Sequence, residues 1–141
     1  MAYRKADLER FYPAVARRAE FRCEYRLAPE SFFTHRHSVD HVVPESRGGG
    51  TDFGNLALGC YACQQRKAVF TEAVDPQTGR RVRLFNPRRQ RWARNFRWSA
   101  DGLRIVGLTS RGRATVGRLG LNDSRQVEAR KRWRRYPDLF P

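Results

Sequence analysis

Acidic residues are scarce in this 141-residue chain: 14 Asp and Glu stand against 29 Lys and Arg, a formal charge of +15 at neutral pH. A field of that size attracts polyanions and opposes compaction when none is bound, so DNA or RNA is the expected partner. Long apolar runs are missing too. No segment approaches the roughly 18 unbroken apolar residues of a spanning helix, no lipidation pattern is present, and the opening MAYRKADLER has no apolar stretch of the signal-peptide kind. The expectation is a cytoplasmic chain with no membrane partner. Cysteine is limited to three, an odd set that without a secretory signal favours metal binding or free thiols over disulfides. Internal repeats and long linkers are also lacking, so nothing forces two independent domains. Hydrophobic residues at 40% and aromatics at 12% are enough for one modest core, where a disordered polyelectrolyte would be poorer in both.

Local patterns give an order of elements. From Ala6 to about Glu20 the residues Leu8, Phe11, Tyr12 and Val15 recur at helical spacing, with Pro13 as a candidate kink. Ser38 to Val43 reads as a short strand, PESRGGGTDFGN as a loop dense in turn formers, Asn55 to Gly59 as a second strand, and YACQQRKAVF as a helix. Further on, DPQTGR is a turn signal between two short strands, the second near Val82 to Phe85. FRWSADGLRIVGLTS reads as another strand pair about Ala100-Asp101-Gly102, a helix can start at a Thr or Ser cap from Thr109 onward, and SRQVEARKRWRR reads as a basic helix before Pro137.

The chemistry-bearing residues are crowded. His35, His37 and His41 fall within seven residues, Asp40 precedes His41, and a Gly-rich loop, Asn55 and the pair Cys60 and Cys63 follow. A lone histidine is more often packed or solvated than functional, and that plain reading fits His35 or His37 singly; His41 stands apart by its company. The triple glycine Gly48-Gly49-Gly50 has no Lys-Ser/Thr after it, which excludes a nucleotide-binding loop and a nucleotide cofactor and leaves a flexible connection between strands.

Taken together, VDHVVPESRGGGTDFGNLALGCYACQQRKAVF resembles the HNH endonuclease family, in the branch whose catalytic motif is interleaved with a zinc-binding cysteine frame. The likeness runs from Cys23 to Phe70 and rests on the Asp-His pair, the Pro and Gly-rich loop, Asn-Leu, Cys-x-x-Cys and the trailing Arg66-Lys67. DPQTGRRVRLFNPRRQRW and FRWSADGLRIVGLT also resemble the C-terminal extension of small bacterial members. The resemblance implies an α+β fold with a ββα-metal (His-Me finger) core, flanking helices and a basic β extension. Residues 1–22 would be an N-terminal helix, 23–70 the module, and 71–141 a hairpin and helical extension packed on it as a single domain.

It further implies metal-dependent hydrolysis of DNA phosphodiester bonds. Such a reaction needs an activated water and charge compensation at the phosphate. His41 would be the general base, Asp40 a ligand of a divalent ion (Mg²⁺ or Mn²⁺) and Asn55 the residue that orients the loop and the His41 backbone. Gln64 stands where the family places Asn or His as second metal ligand, one methylene longer than Asn. Ser38 stands where many relatives carry another His, and His37 beside it would face the other side of a regular strand. These two departures favour a rival, an HNH-fold protein that binds nucleic acid without cleaving it.

Cys23, Cys60 and Cys63 make three quarters of a structural Zn²⁺ frame. Arg26, at the position of the fourth cysteine, cannot ligate because its guanidinium stays protonated. Either His35 or His37 completes the frame, or zinc is lost and packing replaces it.

Between Gly79 and Trp98 lie Arg80, Arg81, Arg83, Arg88, Arg89, Arg91, Arg94 and Arg97 and no acidic residue, with Phe85, Trp92, Phe96 and Trp98 interleaved. The aromatics read as core. The arginines, with Arg66 and Lys67, read as a phosphate-binding surface for duplex DNA with little sequence preference. A second cluster, Arg125, Arg130, Lys131, Arg132, Arg134 and Arg135, lies on the final helix and reads as a grip on a neighbouring stretch of nucleic-acid backbone. Charge alone also admits an RNA- or ribosome-associated role.

Overall fold

The computed structural model describes residues 8–139. A short 3-10 turn, Glu9–Phe11, leads into helix α1, Tyr12–Arg18. Pro13 does not kink this helix. It sits in the first turn, where its missing N–H and fixed φ suit a helix start. The helix is also shorter than the expected 6–20: Glu20 and Phe21 take positive φ values of 55° and 59°, which end it, and Ala6 lies outside the described residues.

Strand β1, Ser38–His41, pairs antiparallel with β2, Leu56–Gly59, in the register Ser38 to Gly59 and His41 to Leu56. Both strands are shorter than the sequence suggests, because the chain leaves extended pairing at Val42; one further bond, Val42 N–H to the Asn55 carbonyl (2.8 Å), closes the pair. After Cys60, helix α2 spans Tyr61–Lys67 and stops at Ala68, whose φ of 47° is incompatible with continuation to Phe70. The order strand, loop, strand, helix is as read from the sequence. Alternation then divides the faces. Val39, Leu56 and Leu58 pack with Leu8, Val15 and Ala16 as one apolar cluster, so α1 covers one side. Ser38 and Asp40, opposite Gly59 and Ala57, point to the side of α2. A Cβ at Gly59 would lie 3.1 Å from Gln64 Cγ, so the glycine leaves room for that side chain.

The rest of the chain supplies two more antiparallel pairs: β3 (Glu72–Val74) with β4 (Arg81–Arg83), and β5 (Phe96–Trp98) with β6 (Ile105–Gly107). A one-turn helix, α3 (Trp92–Asn95), stands between them. Helix α4, Ser110–Leu119, is capped by Thr109, whose hydroxyl accepts from Gly112 N–H at 3.0 Å, and packs on α2, β3, β4 and β6. Helix α5, Ser124–Trp133, closes the fold. This is an α+β arrangement of helices and small antiparallel pairs. None of the described helices is long and apolar enough to cross a membrane.

The main core joins the two halves of the sequence. Cys23, Tyr25, Ala28, Cys60 and Cys63 pack with Leu84, Phe85, Phe96, Ile105, Leu119 and Leu121. Phe85 and Phe96 meet edge to face at 5.1 Å, and Trp92 and Trp98 pack against the same cluster, so the aromatics among the arginines are core as expected. Asp75, fully buried, fixes the β3–β4 turn: it accepts from Gln77 N–H (3.0 Å) and the Thr78 hydroxyl (2.9 Å), and Arg113 of α4 donates to both its oxygens at 2.9 and 2.8 Å. The Arg113 guanidinium holds the Asp75 carboxyl well below the usual carboxylate range.

Two arginines assigned to the binding surface by sequence belong inside instead. Arg130 is 1% exposed, donates to the Leu103 carbonyl (2.8 Å) and to the Leu121 carbonyl, and has its pKa lowered to about 10 by burial. It braces α5 against the β5–β6 turn and offers nothing to phosphate. Arg88 pairs with Glu24, both side chains being nearly buried, and Glu24 in turn accepts from Leu58 N–H at 2.8 Å. The pair fastens the extension to β2. Removing one partner of a buried ion pair strands the other charge, so Arg88→Gln is expected to destabilise the fold by about 3 kcal/mol. Thermal and urea melts check this; an unchanged melting curve with weakened nucleic-acid binding would return Arg88 to the surface.

Candidate functional site

His41 ends β1 with its side chain 10% exposed. Its Nε2 lies 2.8 Å from the Thr51 hydroxyl oxygen, and that hydroxyl donates to Glu45 Oε1 at 3.3 Å. The direction of the second bond decides the first. With its hydrogen turned to Glu45, Thr51 presents a lone pair to the ring, so Nε2 donates to Thr51. Nδ1 faces Asp40, 3.9 Å from Oδ1. The second ring nitrogen is therefore on the carboxylate side.

The loop that brings Thr51 and Glu45 to the ring is closed by Asn55. Its amide oxygen accepts from Val43 N–H (2.9 Å), and its amide nitrogen donates to the Val43 carbonyl (2.9 Å) and the Gly50 carbonyl (2.8 Å). The contacts fall on Val43 and on the glycine run, two residues beyond the His41 backbone that the sequence suggested. At Gly49 a Cβ would fall 1.7 Å from the Val43 carbonyl oxygen, so this glycine is required by close approach. The triple glycine is a loop closure here.

Asp40 is exposed, and its Oδ1 accepts from His41 N–H at 2.8 Å. It lines a small pocket together with His41, Gln64, Lys67 and Tyr25. Gln64 is engaged at both ends of its amide: Nε2 donates to the Ser38 carbonyl (2.7 Å), and Oε1 accepts from the Ser38 hydroxyl (2.8 Å). The two departures from the family pattern are thus each other's partners. Lys67, expected on the binding surface, is only 6% exposed and stands in the same pocket; burial pulls its pKa below the ordinary lysine value, with Asp40 acting the other way.

A divalent ion fits this donor set in a limited sense. Mg²⁺ is commonly held by one or two carboxylates plus substrate phosphates and water. Asp40 offers a carboxylate, and the Gln64 amide oxygen retains a second lone pair beyond the one used by Ser38.

Cys23, Cys60 and Cys63 are buried with sulfurs within 4.8 Å of one another, a cluster that could hold a metal ion. Neither histidine completes it. His37 is buried with Nε2 2.9 Å from the Ala28 carbonyl and its ring 5.3 Å from Phe33, while His35 is exposed. Instead Arg26, 5% exposed, donates its Nε–H to Cys60 Sγ at 2.9 Å and lays its guanidinium 5.3 Å from the Phe33 ring centre. Hydrogen bonds from Cys23 and Cys63, with Arg26 beside them, favour the Cys60 thiolate. The donors do not fit a closed tetrahedral zinc site, which needs a fourth ligand where this chain has a cation.

Of the remaining sequence candidates, Arg80, Arg81, Arg83, Arg89, Arg91 and Arg94 are exposed, and Arg97 with them. Arg66 is half-exposed and ion-paired with Asp123. Sequence reasoning does not find Thr51, Glu45 or the bracing role of Arg26. Thr51 and Glu45 sit in a loop with no periodicity to mark them, and Arg26 carries only the negative signal that it cannot ligate.

If Arg26 takes the place of a ligand, restoring the ligand should restore the ion. Wild-type protein grown in zinc-supplemented medium is expected to carry substoichiometric zinc by elemental analysis, and Arg26→Cys close to stoichiometric zinc with a raised melting temperature. Full zinc in both proteins would remove Arg26 from this role.

Residues 22–69 match the family model described as HNH endonuclease. No curated protein and no solved structure matches the chain.

Proposed function

We propose, from the match of residues 22–69 to the HNH endonuclease family model, that the protein is a metal-dependent endonuclease that hydrolyses DNA phosphodiester bonds with little sequence preference. HNH nucleases act on nucleic acids with divalent metals, and the chain's +15 charge suits a polyanionic substrate. The observation that carries the reading is the His41 ring, its Nε2 bonded to Thr51 at 2.8 Å and its Nδ1 turned towards Asp40 in a shared pocket.

In this reading His41 Nδ1 takes the proton from the attacking water. The Thr51–Glu45 chain holds the tautomer that makes this possible and stabilises the imidazolium that results. Asp40 and Gln64 would hold the divalent ion, which when bound supplies charge compensation at the phosphate and the leaving oxygen. Asn55 keeps the loop closed, so that the His41 ring does not have to be ordered at each turnover. Lys67 adds fixed positive charge on the phosphate side of the pocket. The buried free cysteines and the basic surface suit work in the cytoplasm.

The Ser38–Gln64 pair favours one alternative, binding without cleavage. With both ends of its amide engaged, Gln64 can serve as a strut between β1 and α2 and leave Asp40 without a second ligand beside it.

His41→Ala is expected to lower metal-dependent nicking of supercoiled plasmid by on the order of 100-fold or more, the usual contribution of a positioned base, with duplex affinity kept within a few-fold. Near-wild-type nicking by a nuclease-free preparation would remove His41 from the mechanism.

Gln64 separates the two readings. Gln64→Asn withdraws the oxygen by one methylene and releases Ser38, and it should maintain or raise Mg²⁺-supported nicking, while Gln64→Ala should depress it and be partly rescued by excess metal. Cleavage that appears only in Gln64→Asn would identify binding as the wild-type activity; equal, robust cleavage by all three proteins would show that Gln64 is no ligand.

A further inference from the structure

Arg36, Arg66, Arg88 and Arg113 each meet a carboxylate within the fold, and Arg26 and Arg130 are buried against sulfur or carbonyl oxygen. Among the described residues, Arg83, Arg89 and Arg111 have no carboxylate partner. These three converge on one groove of about 510 Å³, floored by Leu84 and Phe85 and completed by Arg47 and Lys67 from the finger side. Among the described residues, Glu72 is the one acid on its wall. Arg47 comes from the loop after β1, Lys67 from α2, Arg83 from β4, Arg89 from the segment before α3 and Arg111 from the first turn of α4. No local pattern gathers them; only the packing of the extension on the finger does so.

Lys67 lines this groove and also the pocket of Asp40, His41 and Gln64. Lys67 therefore stands between the groove and the pocket of His41. Five cations with one acid, Glu72, among them repel one another, and a chain of phosphates relieves that repulsion with release of its own counterions. Arginine suits the role because its planar fork meets two phosphate oxygens at once.

We propose that this groove binds the phosphate backbone of the cleaved DNA strand immediately beside the scissile bond. Arg47, Arg83, Arg89 and Arg111 fix the path of the strand, and Lys67 stands where that path enters the reaction pocket. The groove's polar side chains Asn86 and Gln90 are tied to each other's segment, with the Gln90 amide oxygen accepting from Asn86 N–H at 2.8 Å. They leave the binding dominated by charge, so the groove holds the strand with little regard for base. The inference rests on the nuclease reading for the word cleaved; the binding itself does not.

The test uses the full chain carrying His41→Ala, so that binding is measured without turnover. Affinity for a short duplex is followed by fluorescence anisotropy across a salt series. Each arginine that neutralises a phosphate adds about 0.9 to the slope of log K against log salt. Arg83→Gln, Arg89→Gln and Arg111→Gln combined should therefore flatten it by about 2 to 3, whereas Arg10→Gln, Arg17→Gln and Arg104→Gln, of equal charge change but outside the groove, should leave it nearly unchanged. The single Arg89→Gln variant, an exposed position, gives about one third of the effect should the triple variant fold poorly. Equal flattening by both triple variants would overturn the groove as a site, as would an unchanged slope in Arg89→Gln. Structured RNA displacing the duplex at far lower concentration would overturn DNA as its ligand. A groove-dependent slope in a wild-type protein that never nicks DNA would sink the nuclease reading and leave the groove standing.

Discussion

Tyr25, Cys60 and Cys63 pack directly with Leu84, Phe85 and Phe96, and the finger depends on this contact. Its strands have four residues each and its helix seven, too little apolar surface to stand alone. Small modules of this size are commonly stapled by a structural metal. Here the fourth corner of the cysteine cluster is Arg26, and the staple is instead the extension, fastened by the buried aromatic cluster on one side and the Glu24–Arg88 pair on the other. The extension is therefore more than a basic appendage: without it the loop that carries Thr51 and Glu45 to His41 would hang from an unsupported strand pair.

The same packing sorts the charges. Arg26, Arg88, Arg113 and Arg130 are drawn inward, each against a sulfur, a carboxylate or a set of carbonyls. A buried guanidinium needs those partners to offset its desolvation. What remains outside is accordingly positive and sparsely paired. Structure and electrostatic surface are two results of one partition, since each acid that braces the core is an acid withdrawn from screening the surface.

This partition also explains what the sequence could and could not reveal. Asp40, His41, Asn55, Cys60 and Cys63 were legible because their chemistry and spacing are local and because β1, the loop, β2 and α2 follow from periodicity and turn residues. Pro13 misled because a proline at a helix start and one in a helix middle look alike without the boundary. His37 misled because proximity in sequence to the cysteines is not proximity in space; its ring bonds to the Ala28 carbonyl instead. Arg88 and Arg130 were misassigned because arginines in a basic run are identical until tertiary pairing, with Glu24 across 64 residues in the first case, decides which are inside. Ser38 and Gln64 read as two separate defects, yet the structure joins them as one contact between β1 and α2.

That contact bears on how a metal site of this kind is completed. Among the described residues Asp40 is the only carboxylate of the pocket, the Gln64 oxygen is already shared with Ser38, and Lys67 stands close enough for Asp40 to influence its protonation. On the proposed reading, a divalent ion here would meet weak donors and a neighbouring cation, and by itself would be held poorly. A phosphate changes both terms, since its oxygens add ligands and its charge offsets that of Lys67. On the proposed reading, ion and strand therefore strengthen each other's binding, and by linkage the gain is equal in both directions. The groove that leads past Arg83, Arg89 and Arg111 to Lys67 is then part of the metal site in the energetic sense: it delivers the negative charge that the finger, with Gln64 in place of a free ligand, does not itself provide.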